Sequence, residues 1–136
     1  MFGEIIVVNV RGMEVNKVGV VYVGRACNGW IGSALGNKFY MKNEGERDNV
    51  IKQYRVWLWK VIEGGKGVEF DAFKQLVERY ENGESLVLGC WCAPKPCHAQ
   101  VLKSAIEWYA MRLIKAVCNK VLVGVETSSV DWDESM

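Results

Sequence analysis

Residues 4–10 (EIIVVNV) and 18–23 (VGVVYV) are almost continuously apolar, rich in β-branched side chains and bounded by Gly, Asn and Lys. Such runs predict strands, and the lack of alternation predicts burial on both faces. The first strand is expected to pair with the second. The period then changes. Across residues 46–62, Val50, Tyr54, Trp57, Leu58 and Val61 recur at helical spacing until Gly64 and Gly65 stop the pattern. Residues 71–81 repeat that period through Phe73, Leu76, Val77 and Tyr80, with Asp71 near the start and Gly83 past the end. A further buried strand is predicted at 85–91 (SLVLGCW). From Pro96 to about Val117 the set Leu102, Ile106, Tyr109, Leu113 and Val117 draws one long helical stripe. Residues 120–125 (KVLVGV) read as a last strand, and residues 127–136 as an acidic, Ser-rich tail that is loosely held.

Strands alternating with helices predict an α/β fold: a single three-layer, Rossmann-like domain over residues 1–126, with a mainly parallel sheet of four or five strands and at least three helices. No internal repeat or linker divides it. Trp57, Trp59 and Trp108 fall on helix faces and are assigned to packing. The 136 residues are half hydrophobic with only two prolines, which excludes a mainly disordered or collagenous chain. Seventeen basic against sixteen acidic side chains leave +1, so there is no strong electrostatic case for nucleic acid or an anionic membrane. No apolar run approaches the roughly 20 residues of a bilayer span, and the start lacks a basic signal stretch, so the expected setting is cytoplasmic.

Five cysteines, three of them within residues 90–97, point to reduced thiols rather than a disulfide framework. Cys27 and Cys118 are expected to be small buried hydrophobes. The crowded three carry more chemistry. They follow a predicted strand, and so does the loop 24–45, which holds five glycines together with Arg25, Asn28, Ser33, Asn37, Lys38 and Lys42, Glu44 being its one acid. In a parallel sheet both segments gather beyond the carboxyl ends of the strands, where ligands bind. Glycine lets amides approach an anion closely, and Arg25 supplies a donor fork, so Arg25 with the amides near Ser33 and Asn37 forms a candidate phosphate or carboxylate site. Arg47 and Arg55 add charge if their helix faces the cleft. The spacing fits neither established phosphate-loop fingerprint, and a turn-rich surface loop is the competing assignment.

In CWCAPKPCH, Pro96 suits the first position of the following helix, which places Cys97 and His98 in its first turn. The positive helix end then lowers the Cys97 pKa, and an accessible thiolate is expected there. His98 is the only histidine in the chain. Neighbours on a helix point about 100° apart, so an imidazole–thiol dyad would use Cys90 or Cys92 instead. Cys90, Cys92, Cys97 and His98 also form a Cys₃His set, which makes structural zinc an alternative. Alternate strand residues stand roughly 6.6 Å apart, however, while sulfurs on one zinc sit within about 4 Å, so the strand would have to curl. Buried thiols filling the corner are a further alternative.

The segments YVGR, SALGNKF, Arg47 with Tyr54 and Arg55, and LGCWCAPKPCHAQVL together resemble the family known as domain of unknown function 4326, over about residues 20–110. Lys38 replaces the usual proline of that pattern, and Ala99 the usual glycine after the Cys-His pair. The family occurs in bacteria and their viruses and has no settled activity, so the resemblance implies a prokaryotic or phage source, with the host cytoplasm as the setting if viral. Its Cys-His element is similar to that of other Rossmann-like families suspected of handling nucleotide-type ligands. The expected function is therefore binding or conversion of a phosphorylated or nucleotide-like small molecule. Cys92, Cys97 and His98 are the candidate catalytic residues, and Arg25, Ser33, Asn37, Arg47 and Arg55 the candidate binding residues. The alternative is a zinc-stabilised, non-catalytic module, or a viral protein that binds a host partner.

Overall fold

The strand 85–91 is the most thoroughly apolar in its surroundings, and it takes the centre of the sheet. The computed structural model describes residues 2–121, with side chains through Arg112. In chain order these are β1 (Ile5–Asn9), β2 (Val20–Tyr22), a 3₁₀ turn (Glu44–Glu46), α1 (Arg47–Gly64), α2 (Val68–Glu81), β3 (Leu86–Cys90) and α3 (His98–Val121). Both β1 and β2 pair with β3 in parallel, giving the order β1-β3-β2. Ile5 lies opposite Leu86 and Asn9 opposite Cys90, while Val20 lies opposite Val87 and Tyr22 opposite Gly89.

Several expectations are corrected here. β1 and β2 do not pair with each other, because β3 occupies the place between them. Burial on both faces holds for β3, where Leu86, Leu88, Gly89 and Cys90 are buried. It fails for the edge strands, and Ile6 stays 50% exposed. Among the described residues the sheet has three strands, not four or five. Lys120 and Val121, the start of the expected last strand, belong to α3. Residues 122–125 and the tail 127–136 lie outside the described residues, as does the Cys118 side chain. The three helices pack on one another, and α2 and α3 also pack against the sheet.

The helices begin and end where the chemistry allows. Gly65 adopts a left-handed φ of 68° and returns its N–H to the Val61 carbonyl, closing α1. Glu69 and Asp71 in the first turn of α2, and Arg79 in its last, complement the helix dipole. Tyr54 and Leu58 of α1, Phe73 and Val77 of α2, Leu86 and Leu88 of β3, and Leu102 and Ile106 of α3 make the centre of the core. Trp59 meets Trp108 edge to face at 5.5 Å, so the α1–α3 seam takes up these tryptophans as packing residues. Cys27 is exposed, against expectation. The loop reverses at Asn28 and Gly29, both at positive φ, to bury Trp30, and this leaves Cys27 outside. Among the described residues no helix is long and apolar enough to cross a membrane.

Candidate functional site

Parallel pairing on β3 carries the ends of β2 and β3 out side by side, and the pairing continues one residue further, Val23 N–H donating to the Gly89 carbonyl at 3.0 Å. The glycine-rich loop starts at that edge and folds back on itself. Ser33 N–H reaches the Gly24 carbonyl at 3.0 Å, and a Cβ on Gly36 would stand only 3.0 Å from the same oxygen, which explains glycine there. Arg25 Nη1 donates to the Asn37 carbonyl at 2.7 Å, and its guanidinium covers the Tyr40 ring at 4.1 Å. The buried Tyr54 hydroxyl donates to the Leu35 carbonyl at 2.7 Å, tying the loop to α1.

The second segment is fixed as closely. Asn9 Nδ2 donates to the carbonyls of Trp91 and Ala93, at 3.1 and 2.9 Å, so the end of β1 holds the turn between β3 and α3. Trp91 Nε1 donates to the Tyr22 hydroxyl at 2.9 Å, and that hydroxyl donates to the Arg25 carbonyl at 2.6 Å. The two segments thus meet, and a cleft of about 170 Å³ lies between them and α1. Arg25, Asn37, Arg47, Cys92, Cys97 and His98 all line it.

The thiols are arranged in depth. Cys90 is fully buried, Cys97 is 4% exposed with its sulfur 3.3 Å from that of Cys90, and Cys92 is half-buried on the cleft wall. Arg47 stands beside Cys92. Its guanidinium grips Glu44 through two bonds of 2.9 and 2.8 Å and donates to the Pro96 carbonyl at 2.9 Å. That pairing holds the Glu44 carboxyl well below the usual carboxylate range. The Cys92 thiol is pushed down to about 5, first by a hydrogen bond from Cys97 and then by Arg47. Cys97 is pushed the other way by its thiol neighbours, Cys90 first, and by burial, while Cys97 in turn lowers Cys90. The expected accessible thiolate at Cys97 is therefore corrected. Cys97 is buried against Cys90, and Cys92 is the thiol that has both the Arg47 cation and an opening to the cleft.

His98 is 7% exposed, its Nε2 lies 2.7 Å from the Val23 carbonyl, and its ring meets Tyr54 edge-on. Burial lowers its pKa, so the ring is neutral at pH 7. A carbonyl can only accept, so Nε2 carries the proton and Nδ1 keeps a free lone pair. Among the described residues no three His, Cys, Asp or Glu side chains are gathered closely enough to hold a metal ion, which gives no support to the alternative of zinc on Cys90, Cys92, Cys97 and His98.

Two candidate binding residues fall elsewhere. Ser33 Oγ accepts the Leu35 N–H at 3.0 Å within its own turn and faces a separate shallow depression shared with Lys38 and Glu69. Arg55 does not line the cleft, and its Nε is buried without a partner. Three further walls of the cleft, Tyr22, Phe39 and Trp91, lie outside the candidate residues read from the sequence. The signal was present in two of them, since Tyr22 stands just before Gly24-Arg25 and Trp91 between two cysteines.

The fold and cleft define an α/β domain in which the ends of parallel strands open onto a depression between the glycine-rich loop, α1 and the turn after β3. The chain belongs to the family described as Domain of unknown function (DUF4326), which it matches over residues 8–108, a span holding every residue that lines the cleft. No curated protein and no solved structure matches it.

Proposed function

We propose that the cleft binds a small phosphorylated or nucleotide-like molecule, and that Cys92 and His98 act on it. One observation carries this reading: the lining combines two arginines, Arg25 and Arg47, with the aromatic walls Tyr22, Phe39 and Trp91, and includes no carboxylate. Aromatic walls suit a base or another flat group, and a guanidinium fork suits a phosphate. Arg25 uses one donor on Asn37 and keeps the others for an anion. Cys92, charged beside Arg47, is the nucleophile, and the free Nδ1 of His98 is a proton acceptor on the same wall. Cys97 supports Cys92 as a hydrogen-bond donor.

The test is thermal melting with nucleotides and sugar phosphates. A ligand at 100 times its dissociation constant stabilises the fold by about 2.7 kcal/mol. Arg25→Gln, at an exposed position, should leave the unliganded melting temperature near that of the wild type while removing the ligand-induced rise. A flat response across both ligand classes, or an undiminished rise in the variant, overturns the proposal.

A further inference from the structure

We propose that Cys92 and Cys97 form an oxidation site that closes a disulfide in the wall of the cleft when the protein meets a hydroperoxide. This goes beyond ligand binding and does not depend on which molecule the cleft takes.

Both residues line the same cleft, Cys92 half-buried at its surface and Cys97 buried behind it, with Cys90 deeper still at 3.3 Å from Cys97. All four described cysteines are free thiols. Cys92 and Cys97 stand on one short turn, which the Lys95 N–H closes on the Cys92 carbonyl at 2.9 Å, so both face the same cleft. The order from solvent to core assigns the roles. A small oxidant entering the cleft reaches Cys92 first, and Arg47 favours the thiolate there. Cys97 is shielded from direct attack, yet it lines the same cleft as the sulfur that is attacked.

The chemistry closes without any further group. The Cys92 thiolate attacks one oxygen of the hydroperoxide and the O–O bond breaks. The departing oxygen takes up a proton and leaves as water or an alcohol, and Cys92 becomes a sulfenic acid. The Cys97 sulfur then attacks the Cys92 sulfur and the S–O bond breaks. The hydroxyl leaves as water with the proton from Cys97, and a disulfide remains. Two thiols have been oxidised and one peroxide reduced. An external dithiol reverses the step by exchange. Closure removes the negative charge from beside Arg47, so the oxidised and reduced clefts present different electrostatics to an anion.

The experiment treats the full chain with hydrogen peroxide, alkylates the remaining thiols and maps cross-links by mass spectrometry. The wild type should yield a Cys92–Cys97 disulfide that dithiothreitol reverses, with Cys90 still alkylatable after unfolding. Cys97→Ser should instead accumulate a sulfenic acid on Cys92 that a cyclic diketone traps, and Cys92→Ser should form neither product. Circular dichroism checks that both variants fold, while the wild-type map stands without them. The proposal is overturned if the wild type forms no cross-link, or if peroxide converts Cys27 before Cys92. It is also overturned if Cys92→Ser joins Cys90 to Cys97 as fast as the wild type forms its disulfide.

Discussion

Cys92 and Cys97 stand in unequal environments, one half-buried beside Arg47 at the cleft and the other buried against Cys90. Iodoacetamide labelling of folded protein should follow the thiolate, with a midpoint near pH 5 at Cys92, where the thiol is lowered to about 5. Arg47→Gln should move that profile to higher pH, because the lost cation favoured the charged form. Cys97→Ala should move it further, because the hydrogen bond from Cys97 is the larger cause. An unchanged profile in both variants would show that the charge rests elsewhere. That thiols gather where β3 ends was legible from three cysteines following a strand. Which thiol stands beside a cation and which is buried was not, because the answer lies in Arg47 at the start of α1 and in Cys90, which meets Cys97 only once β3 and α3 fold together. The same holds for His98, whose partner is a backbone carbonyl on another strand end.

At the scale of elements, periodicity located all three helices and all three strands of the described fold, because an amphipathic stripe or a bounded apolar run is a local property. Pairing is not local. Residues 4–10 and 18–23 are neighbours in sequence, and only the packing around β3 shows that each prefers it to the other. Gly89 is where this choice is tightest. A Cβ there would lie 2.6 Å from Val10 Cγ1 and 2.8 Å from Val20 Cγ1, since flanking side chains close over the central strand from both sides. Gly89→Ala should therefore cost about 1–3 kcal/mol by overpacking. Thermal melting reads this directly, and a variant as stable as the wild type would show that β1 and β2 approach β3 less closely.

For the whole molecule, the cleft makes stability depend on pH. His98 has a lowered pKa in the fold, so the unfolded chain binds its proton more readily, and stability is lost as pH falls below the ordinary histidine range near 6.5. Cys92 acts in the same sense: its pKa of about 5 lies below the ordinary thiol value of 9.0, so its contribution is full above that value and disappears as pH falls towards 5. Melting temperature should therefore rise with pH from mildly acid to neutral solution. His98→Gln should flatten the part of this rise near pH 6.5, and Cys92→Ser the part above it. A slope that survives in both variants would assign the dependence to other groups.

The strand order has a consequence for how the chain is made. β1 and β2 leave the ribosome early, but their shared partner β3 begins only at Leu86. Until it emerges, neither early strand has anything to pair with, and the growing polypeptide cannot complete a single ladder of its sheet. Folding then waits for late synthesis rather than advancing with it, since non-local pairing must first bring distant parts of the chain together. The cleft shares this timing: it requires the glycine-rich loop, α1 and the turn after β3, so no shorter nascent chain presents it.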